Sequence, residues 1–410
     1  MKKIITIFLL TFSLYANHVF VGCEGNFYQS NGSVWLLDEE TSYEYLDDSL
    51  GATVQALHVY NDKLFVTVNG SHKLEIFDID ELGIEHFLTI DTNGSSPREM
   101  ITYGNSLYFS NWYSADVKVL NLSTFEIEDE IAMPGLPEDI VLLDGSLYVS
   151  ITMNYDWSDG SEVVSINPNT NTIIDTYDVG VGPGNMLVHN GEIYISRAYY
   201  DENWNAFYGT SKIDSNNEVV LADYGAGVAC GGSVHTYQNE VYRVYNGGIA
   251  RLDENLQIVP ETRIGDFNQS DVYSVEVIGD NIYFGLSDFA HPDQVVVLNS
   301  NGDVVQEYSV GVAPGDFAVW EPCVANGDVN EDANLNIFDI VMAVSLIVNN
   351  SSYNCKVDLN SDGDMNVVDV VAMVQQIFNI DSFSGAANWL NRHFPSLNVM
   401  GRLKAPYITK

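Results

Sequence analysis

The chain has 410 residues, with 16 lysines and arginines against 57 aspartates and glutamates, which gives a formal net charge of −41. A field this negative repels nucleic acids and anionic membrane surfaces, so we exclude both as partners. Four cysteines exclude a disulfide-dense scaffold but allow one or two bridges in an oxidising compartment.

Residues 1–16 are typical of a bacterial-type secretory signal peptide. Two lysines precede an apolar core over residues 4–14, and Ala16 ends the segment. The core is too short to cross a bilayer, and no other segment approaches the roughly 18 apolar residues that a spanning helix needs. We therefore expect an extracellular or cell-surface protein without a transmembrane segment.

Between residues 17 and 322 an apolar–aromatic pair recurs every 40 to 48 residues, mostly after turn residues. The seven pairs are Val19-Phe20, Leu64-Phe65, Leu107-Tyr108, Leu147-Tyr148, Ile193-Tyr194, Val241-Tyr242 and Ile282-Tyr283. Eight residues before six of these aromatics stands an apolar residue, which we assign to an innermost strand. These six residues are Leu57, Met100, Ile140, Met186, Val234 and Val275.

Each repeat has the pattern of four short strands. Four strands every 40 to 48 residues, seven times over, predict an all-β seven-bladed propeller over residues 17–322. Phe317 has no aromatic partner after it in the array. We therefore expect it to lie on the innermost strand of a blade whose outer strands come from residues 18–49, which would close the ring.

The repeat resembles the bacterial YVTN/NHL-like propellers, which carry a Val-Gly-x-x-Pro turn before the innermost strand. Residues 179–183 and 310–314 match that turn. The resemblance implies the fold but not the activity, because such propellers bind partners, act as scaffolds or in a few cases catalyse.

The residue before each innermost apolar position should lie at the strand entrance, beside the central channel. The seven residues are Ala56, Glu99, Asp139, Asn185, Ser233, Ser274 and Asp316. Carboxylates and amides around a narrow mouth suit a cation or a polyol, so we name Glu99, Asp139, Asn185 and Asp316 as candidate ligand-binding residues. The alternative is that these short polar side chains bond to backbone N–H groups of the turns.

The loops between the second and third strands of three adjacent blades should share that face. Their aromatic candidate ligand-binding residues are Trp112, Tyr155, Trp157, Tyr200 and Trp204. Flat apolar rings beside Asp and Asn suit a sugar or a peptide. The alternative is that the aromatics pack these loops onto the blades.

Two twelve-residue loops, 328–339 and 358–369, each lead into an apolar run with helical spacing. Both carry oxygen side chains at positions 1, 3, 5, 9 and 12, a spacing that wraps oxygens around Ca²⁺. The predicted ligands of two calcium ions are Asp328, Asn330, Asp332, Asn334, Asn336, Asp339, Asp358, Asn360, Asp362, Asp364, Asn366 and Asp369. Ala333 stands at position 6, where glycine turns without strain, and predicts weaker binding at the first loop.

The duplicated loop-then-helix unit over residues 323–380 resembles a type I dockerin, a calcium-binding module that docks to a cohesin domain of another protein. The resemblance implies a cohesin-like partner that contacts Ile337, Phe338, Val367 and Val368. These residues are apolar, unlike the hydroxyl-bearing pairs of many cellulosomal dockerins. The alternative is that Ile337 and Val367 are core residues that hold each loop to its helix.

The cysteines and the C-terminal segment leave further alternatives. A Cys323–Cys355 disulfide would clamp the dockerin-like domain to the propeller, and Cys23 with Cys230 remains by elimination. Residues 381–410 carry four basic residues and one acidic residue. This basic tail either packs on the acidic body or serves as an export or surface-attachment signal.

No catalytic signature is present: the sequence lacks a Gly-x-Ser-x-Gly elbow, a His-Glu-x-x-His pair and a phosphate-cradling glycine loop. We therefore expect a secreted, calcium-dependent binding or scaffold protein, with a propeller that recognises a glycan or protein ligand and a module that docks to a cohesin-like partner. The alternative is an extracellular polysaccharide-degrading lyase or hydrolase with its site at the channel mouth. In a third interpretation the module only stabilises the propeller.

Overall fold

The computed structural model describes residues 18–26, 29–38, 41–44, 50–80, 83–227, 232–322, 324–330, 332, 334–348, 354–360 and 365–378. The predicted signal peptide and the basic tail lie outside these residues, as do Ala333 and the predicted calcium ligands Asp362 and Asp364. The chain divides into two compact units, Met1–Pro322 and Cys323–Lys410.

The first unit is a series of antiparallel sheets, each formed from consecutive strands. Blade 1 contains β1 (His18–Cys23), β2 (Ser33–Leu37) and β3 (Ser42–Glu44). Blade 2 contains β4 (Val54–Tyr60), β5 (Lys63–Val68), β6 (Lys73–Asp80) and β7 (Gly83–Asp91). Blade 3 contains β8 (Pro97–Tyr103), β9 (Ser106–Asn111), β10 (Asp116–Asn121) and β11 (Ile127–Ala132). Blade 4 contains β12 (Leu136–Leu143), β13 (Ser146–Met153), β14 (Asp159–Asn167) and β15 (Thr172–Asp178).

The remaining blades continue in chain order. Blade 5 contains β16 (Pro183–His189), β17 (Glu192–Tyr200), β18 (Ala206–Ile213) and β19 (Val219–Ala226). Blade 6 contains β20 (Val234–Tyr237), β21 (Glu240–Tyr245) and β22 (Gly248–Arg251). Blade 7 contains β23 (Val272–Ile278), β24 (Asn281–Leu286), β25 (Asp293–Leu298) and β26 (Val304–Val310). The last strand, β27 (Pro314–Trp320), returns to blade 1.

The two ends of the array share one sheet. Strand β27 pairs antiparallel with β1, and Phe317 lies opposite Val21. The seven-bladed propeller predicted from the repeat is confirmed, including closure of the ring by the strand that holds Phe317. All seven innermost apolar residues are buried. Blades 1 and 2, for example, share one hydrophobic cluster that contains Phe20, Leu57 and Val66.

Blade 6 departs from the predicted four strands. In the part of this repeat that the structure describes, two isolated bridges, Leu252 with Ile258 and Ile249 with Ile264, stand in place of a fourth strand. A short 3-10 turn begins between them at Pro260. Proline lacks the N–H group that a strand ladder requires, so the segment cannot pair continuously with β22.

The second unit contains two helices, α1 (Ile337–Val348) and α2 (Val367–Ile377). Each begins within the last three residues of a predicted calcium loop and continues through the apolar run after it, as the apolar spacing predicts. The described core of this unit contains Ala343 from α1 and Met373 from α2, which are equivalent positions 30 residues apart. Within the described residues, neither helix has the length and apolar content of a membrane span.

Candidate functional site

The innermost strands contain an extra residue where they enter the channel. In blade 3, Pro97 pairs with Asn111 but Met100 pairs with Phe109, so the strand has three steps against two. The same shift occurs next to the innermost apolar residue in five other blades. A β-bulge of this kind turns two consecutive side chains toward one side. Two residues per blade, and not the single predicted one, can therefore face the channel.

A cavity of about 520 Å³ opens at this end of the channel. Of the predicted ring, it is lined by Glu99, Asn185, Ser233, Ser274 and Asp316. The residues immediately before ring positions also line it, namely Arg98, Glu138, Gly184, Gly232, Tyr273 and Gly315. Sequence reasoning missed this second set because it assumed regular strands. The available signal was the Gly or Pro next to the bulge in several repeats.

Three ring side chains bind the backbone of the next blade. The bonds run from the Leu57 N–H to Asp316 (2.6 Å), from the Met186 N–H to Asp139 (2.6 Å) and from the Val234 N–H to Asn185 (3.0 Å). An innermost strand has a free edge toward the channel, so its N–H groups have no ladder partner there. These contacts fit the alternative backbone-binding role, while Glu99 lies at the cavity wall and Ala56 lies in the hydrophobic core.

Buried hydroxyls on the second strands join each bulge to the next blade. The Ser110 hydroxyl accepts the Glu99 N–H at 3.1 Å and donates to the Glu138 carbonyl at 2.5 Å. Thr67 makes the equivalent two bonds one blade earlier. The mouth is therefore held by a chain of side-chain bonds across neighbouring blades.

Burial shifts several carboxyl groups that line the cavity, and Asp139 near them, toward their protonated forms. It raises the pKa of Glu276 to about 8, of Asp139 to about 7 and of Asp316 to about 6. The pKa of Glu99 also lies well above its ordinary value, because of burial and then because of the Asp316 and Asp139 charges. Near neutral pH some of these carboxyls hold a proton and can donate as well as accept hydrogen bonds.

Arg98 is the guanidinium among these acids. Both oxygens of Glu138 bind it, one through Nε at 3.1 Å and the other through Nη2, and Nη1 donates to Gln55 Oε1 at 2.5 Å. Its Cζ atom lies 4.1 Å from the ring centre of Trp112. This contact fixes Trp112 at the cavity wall, where Tyr200 also lies.

The aromatic loops present their rings to solvent. Trp157 is 56% exposed and meets Trp112 edge-on at 6.1 Å, which joins blades 3 and 4. Trp204 is 83% exposed, and its ring centre lies 6.2 Å from that of Tyr200. The Tyr155 ring is exposed too, although its hydroxyl donates to a backbone carbonyl of the preceding loop. Packing against the blades does not account for these exposed faces.

In the first predicted calcium loop, the side-chain oxygens at positions 1, 3 and 5 accept backbone N–H groups inside the loop. The Asp332 N–H donates to Asp328 Oδ1 and to Asn330 Oδ1, both at 3.1 Å, and the Asn334 N–H donates to Asp332 Oδ1 at 2.9 Å. Oxygens at positions 1, 3 and 5 therefore converge inside the loop, and oxygen is the ligand type that Ca²⁺ prefers.

The last predicted calcium ligand of each loop is fully buried. Asp339 Oδ1 accepts the N–H groups of Val329 and Asn330, and Oδ2 accepts that of Asn336. A carboxylate has about four acceptor positions, so one remains for an ion. Asp369 is held in the same manner, by the N–H of Asn366 at 2.9 Å.

Two further predicted calcium ligands, Asn336 and Asn366, also cap the helices. The Asn336 and Asn366 side chains accept the N–H groups of Phe338 and Val368, which caps α1 and α2. Within the described residues, acids, histidines and cysteines form no group of three that could hold an ion by themselves. Both predicted calcium sites therefore need asparagine oxygens in addition to carboxylates. The predicted ligands of the second site include Asp358, Asn360 and two aspartates that lie outside the described residues.

The predicted partner-binding residues are exposed. Phe338 is 68% exposed and Val367 is 70% exposed, and Ile337 and Val368 are exposed as well. The alternative that Ile337 and Val367 belong to the core is therefore wrong. Leu335 and Met365 pack against the core of each repeat in their place.

The cysteines follow the prediction in part. Cys355 is disulfide-bonded, and its predicted partner Cys323 lies outside the described residues. Cys23 is a free, buried thiol, so its pairing with Cys230 is wrong. Strand β1 places Cys23 inside the hydrophobic cluster between blades 7 and 1, and burial raises the pKa of its thiol.

Comparison with solved structures gives the same architecture. A functionally unknown protein from Desulfotomaculum acetoxidans matches at 12% identity with a TM-score of 0.55, over 75% of this chain and 100% of its own. Proposed 6-phosphogluconolactonases from Bacteroides uniformis and Bacteroides fragilis each match at 14% identity, with TM-scores of 0.55 and 0.53, over 74% of this chain and 99% and 98% of theirs. No family model and no curated protein matches the sequence. At these identities the structural matches show the propeller fold alone.

Proposed function

We propose that this chain is an exported binding protein, with a propeller face that recognises a glycan and a C-terminal unit that docks, with calcium, onto a cohesin-like domain. The observation that carries the proposal is the conformation of two exposed tryptophans, Trp157 and Trp204. Both lie in the left-handed region, with φ of 66° and 62°.

The turns that hold these tryptophans do not require them. Five turns share the same two backbone bonds, and their left-handed residues are Trp157, Trp204, Asn217, Leu256 and Gly302. Glycine and asparagine adopt this conformation easily, whereas for other residues it costs about 1–2 kcal/mol of conformational free energy. At Leu256 the burial of the side chain in the core offsets this cost. The tryptophans are exposed and strained, so a role in ligand contact explains their presence better than folding does.

The cavity beside them suits a polyol. Glu276 and Asp316, whose pKa values are raised, supply both donors and acceptors, and Trp112 and Tyr200 supply flat rings at the wall. Sugars are recognised by this combination of ring faces and paired hydrogen-bonding groups. A polysaccharide chain could reach from the cavity across the exposed rings.

The docking half of the proposal rests on two equivalent apolar patches. Ile337, Phe338 and Val341 are exposed at the start of α1, and their counterparts 30 residues later are exposed at the start of α2. Duplicated apolar patches on a chain of −41 charge are typical of a protein–protein contact. The calcium loops would hold both helix starts in place.

Substitution of the two strained tryptophans tests the glycan-binding half. We expect Trp157→Ala with Trp204→Ala to abolish retardation of the full chain in gels that contain soluble polysaccharides, and to leave its melting temperature nearly unchanged, because both rings are exposed. Tyr43→Ala removes an exposed ring from an outermost strand and should bind as the wild type does. Unchanged polysaccharide binding by the double variant would contradict the proposal.

A second candidate function is acid–base catalysis on a polysaccharide at the same cavity. It is favoured by two carboxyls that line the cavity, Asp316 with a pKa of about 6 and Glu276 with a pKa of about 8, because catalytic acids and bases work best when their pKa lies near the ambient pH. Product formation from a polysaccharide that Glu99→Gln abolishes, with binding retained, would establish this function in place of simple recognition.

A further inference from the structure

Arg243 is a buried cation without an acidic partner. It lies on β21 and is 1% exposed. Nη1 donates to the Gly209 carbonyl and the Thr210 hydroxyl, each at 2.6 Å, and Nε donates to the Val244 carbonyl at 3.2 Å. All three acceptors are neutral, and no carboxylate in the described part of the chain pairs with this guanidinium.

A second buried arginine adds positive charge near Arg243. Arg197 is also buried, and its carboxylate partner, Asp223, is largely exposed to water. Burial first, and the like charge of Arg197 in addition, lower the pKa of Arg243. The rings of Tyr208 and Tyr224 lie 5.1 and 5.0 Å from its guanidinium and offset the burial only in part. Burying a charge without a partner lowers the stability of a fold. The chain has 57 acidic residues that could supply a carboxylate partner, yet none of the described ones pairs with Arg243.

Arg243 lines a separate cavity of about 420 Å³. The other lining groups include the Tyr208 and Tyr245 rings and the side chains of Asn246 and Gln269. The Gln269 carbonyl oxygen accepts the Gly247 N–H at 2.8 Å, which leaves its amide hydrogens for a ligand. Gly232 lines both this cavity and the channel cavity, so the two adjoin on the same face of the propeller.

We propose that this cavity is a carboxylate-binding subsite in which Arg243 is the counter-ion of a small organic monoacid, such as an acidic sugar residue. Nε and both hydrogens of Nη1 are bonded to acceptors of the fold, so Nη2 is the nitrogen that remains to donate to a carboxylate oxygen, in a charge-assisted hydrogen bond. One arginine balances one negative charge, whereas a phosphate dianion would add excess negative charge to a chain that already carries −41. The subsite extends the proposed glycan-binding face, but it requires neither calcium nor the exposed tryptophans.

Titration of the full chain with matched sugars tests the subsite. D-glucuronate and D-glucose share the ring and differ at the carboxylate, and acetate offers the carboxylate alone. We expect calorimetry to show binding of D-glucuronate, at least tenfold weaker binding of D-glucose, and loss of the D-glucuronate signal in Arg243→Met. Equal binding of the two sugars, or no binding of either D-glucuronate or acetate, would overturn the proposal.

A second variant covers the case in which Arg243→Met does not fold. Asn246 is exposed at the cavity in a left-handed conformation, with φ of 46°, that aspartate also tolerates. Asn246→Asp should fold normally and weaken D-glucuronate binding about tenfold or more through charge repulsion. Asn217→Asp makes the same change at a left-handed residue in the β18–β19 turn and should have no effect. Wild-type affinity in Asn246→Asp would refute the subsite, whereas loss only in the Trp157 and Trp204 variants would leave the glycan-binding proposal standing without it.

Discussion

Single buried side chains decide the shape of the channel mouth. Ser110 is fully buried, accepts the N–H of the bulged Glu99 and donates to the carbonyl of Glu138 in the next blade. Removing such a group leaves a donor and an acceptor without partners in a place that water cannot easily reach. The hydroxyl is therefore a structural link between blades 3 and 4.

Ser110→Ala should lower the free energy of unfolding of the first unit by about 1–3 kcal/mol. Urea denaturation followed by fluorescence measures the change. Thr176→Ala, on the exposed outer strand β15, removes a hydroxyl with no described side-chain bond and should change the stability much less. Equal stability of the two variants would show that the hydroxyl link between the bulges carries no energy.

Glu276 makes the stability of the propeller depend on pH. Its pKa rises from an ordinary value of 4.5 to about 8, mainly through burial and then through the Asp316 charge. The folded chain thus keeps a proton that the unfolded chain has lost, so unfolding releases a proton between these two values. This contribution makes stability fall as pH rises through that window, by up to about 1.4 kcal/mol per pH unit.

Glu276→Gln should flatten the pH dependence of stability between about pH 5 and 8 and should raise stability at pH 8 relative to the wild type. Melting curves at several pH values measure both effects. Glutamine keeps the oxygen that accepts the Val277 N–H at 3.1 Å, so the fold is retained. If the variant had the same pH profile as the wild type, the raised pKa of Glu276 would not be the cause of the pH dependence.

The direction of these side chains was the least predictable feature. The repeat identified Glu99, Asp139, Asn185 and Asp316 as ring residues, and all four lie at the channel end of their strands. It did not reveal that a bulge adds Arg98 and the other preceding residues to the cavity wall. Alternation along a strand can be read from sequence, whereas a bulge depends on how the neighbouring strand pairs.

At the scale of elements, the strands were predictable because each one must bury an apolar side chain against the next blade. The buried Leu57 and Phe317 occupy the innermost strands expected for them. The missing strand of blade 6 was not predicted, because the apolar content of the segment resembles that of other repeats while Pro260 prevents pairing. In this segment the local turn at Pro260 prevents the strand pairing that the apolar content favours.

The two helices of the second unit start at residues with a double role. Asn336 and Asn366 cap α1 and α2, and both also stand at position 9 of a predicted calcium loop. The sequence alone shows the spacing of the predicted calcium ligands and predicts the two helices. It did not show that the buried Asp339 already accepts three N–H groups and keeps one acceptor position for an ion.

Calcium titration should therefore detect two sites, with the first loop the weaker. Its predicted ligands include three carboxylates, against four in the second loop, and its position 6 is Ala333. Asp339→Ala should remove the weaker site and Asp369→Ala the tighter one in calorimetry of the full chain. At a free calcium concentration about 100 times the dissociation constant, each site would add about 2.7 kcal/mol to the stability of the second unit. Two sites retained in either variant would contradict the assignment.

The whole molecule combines a closed ring with a small second unit in one strongly acidic chain. Pairing of β27 with β1 joins residues about 300 positions apart, so the first unit cannot lose either end without opening a blade. From the net charge of −41 we expect repulsion of nucleic acids and a preference for partners that bind through apolar patches or cations. Composition predicted this much, but the ligand of the cavity face depends on side-chain geometry that composition does not contain.

The most direct test of the account is the binding of the full chain to purified type I cohesin domains, measured in calcium and in chelator. We predict binding to a cohesin domain in calcium, loss of that binding in chelator, and at least tenfold weaker binding after Phe338→Asp with Val368→Asp. Val304→Asp, at an exposed valine on β26, should bind as the wild type does. Absence of calcium-dependent binding to every cohesin domain, or binding unchanged by the double substitution, would contradict the docking role of the second unit.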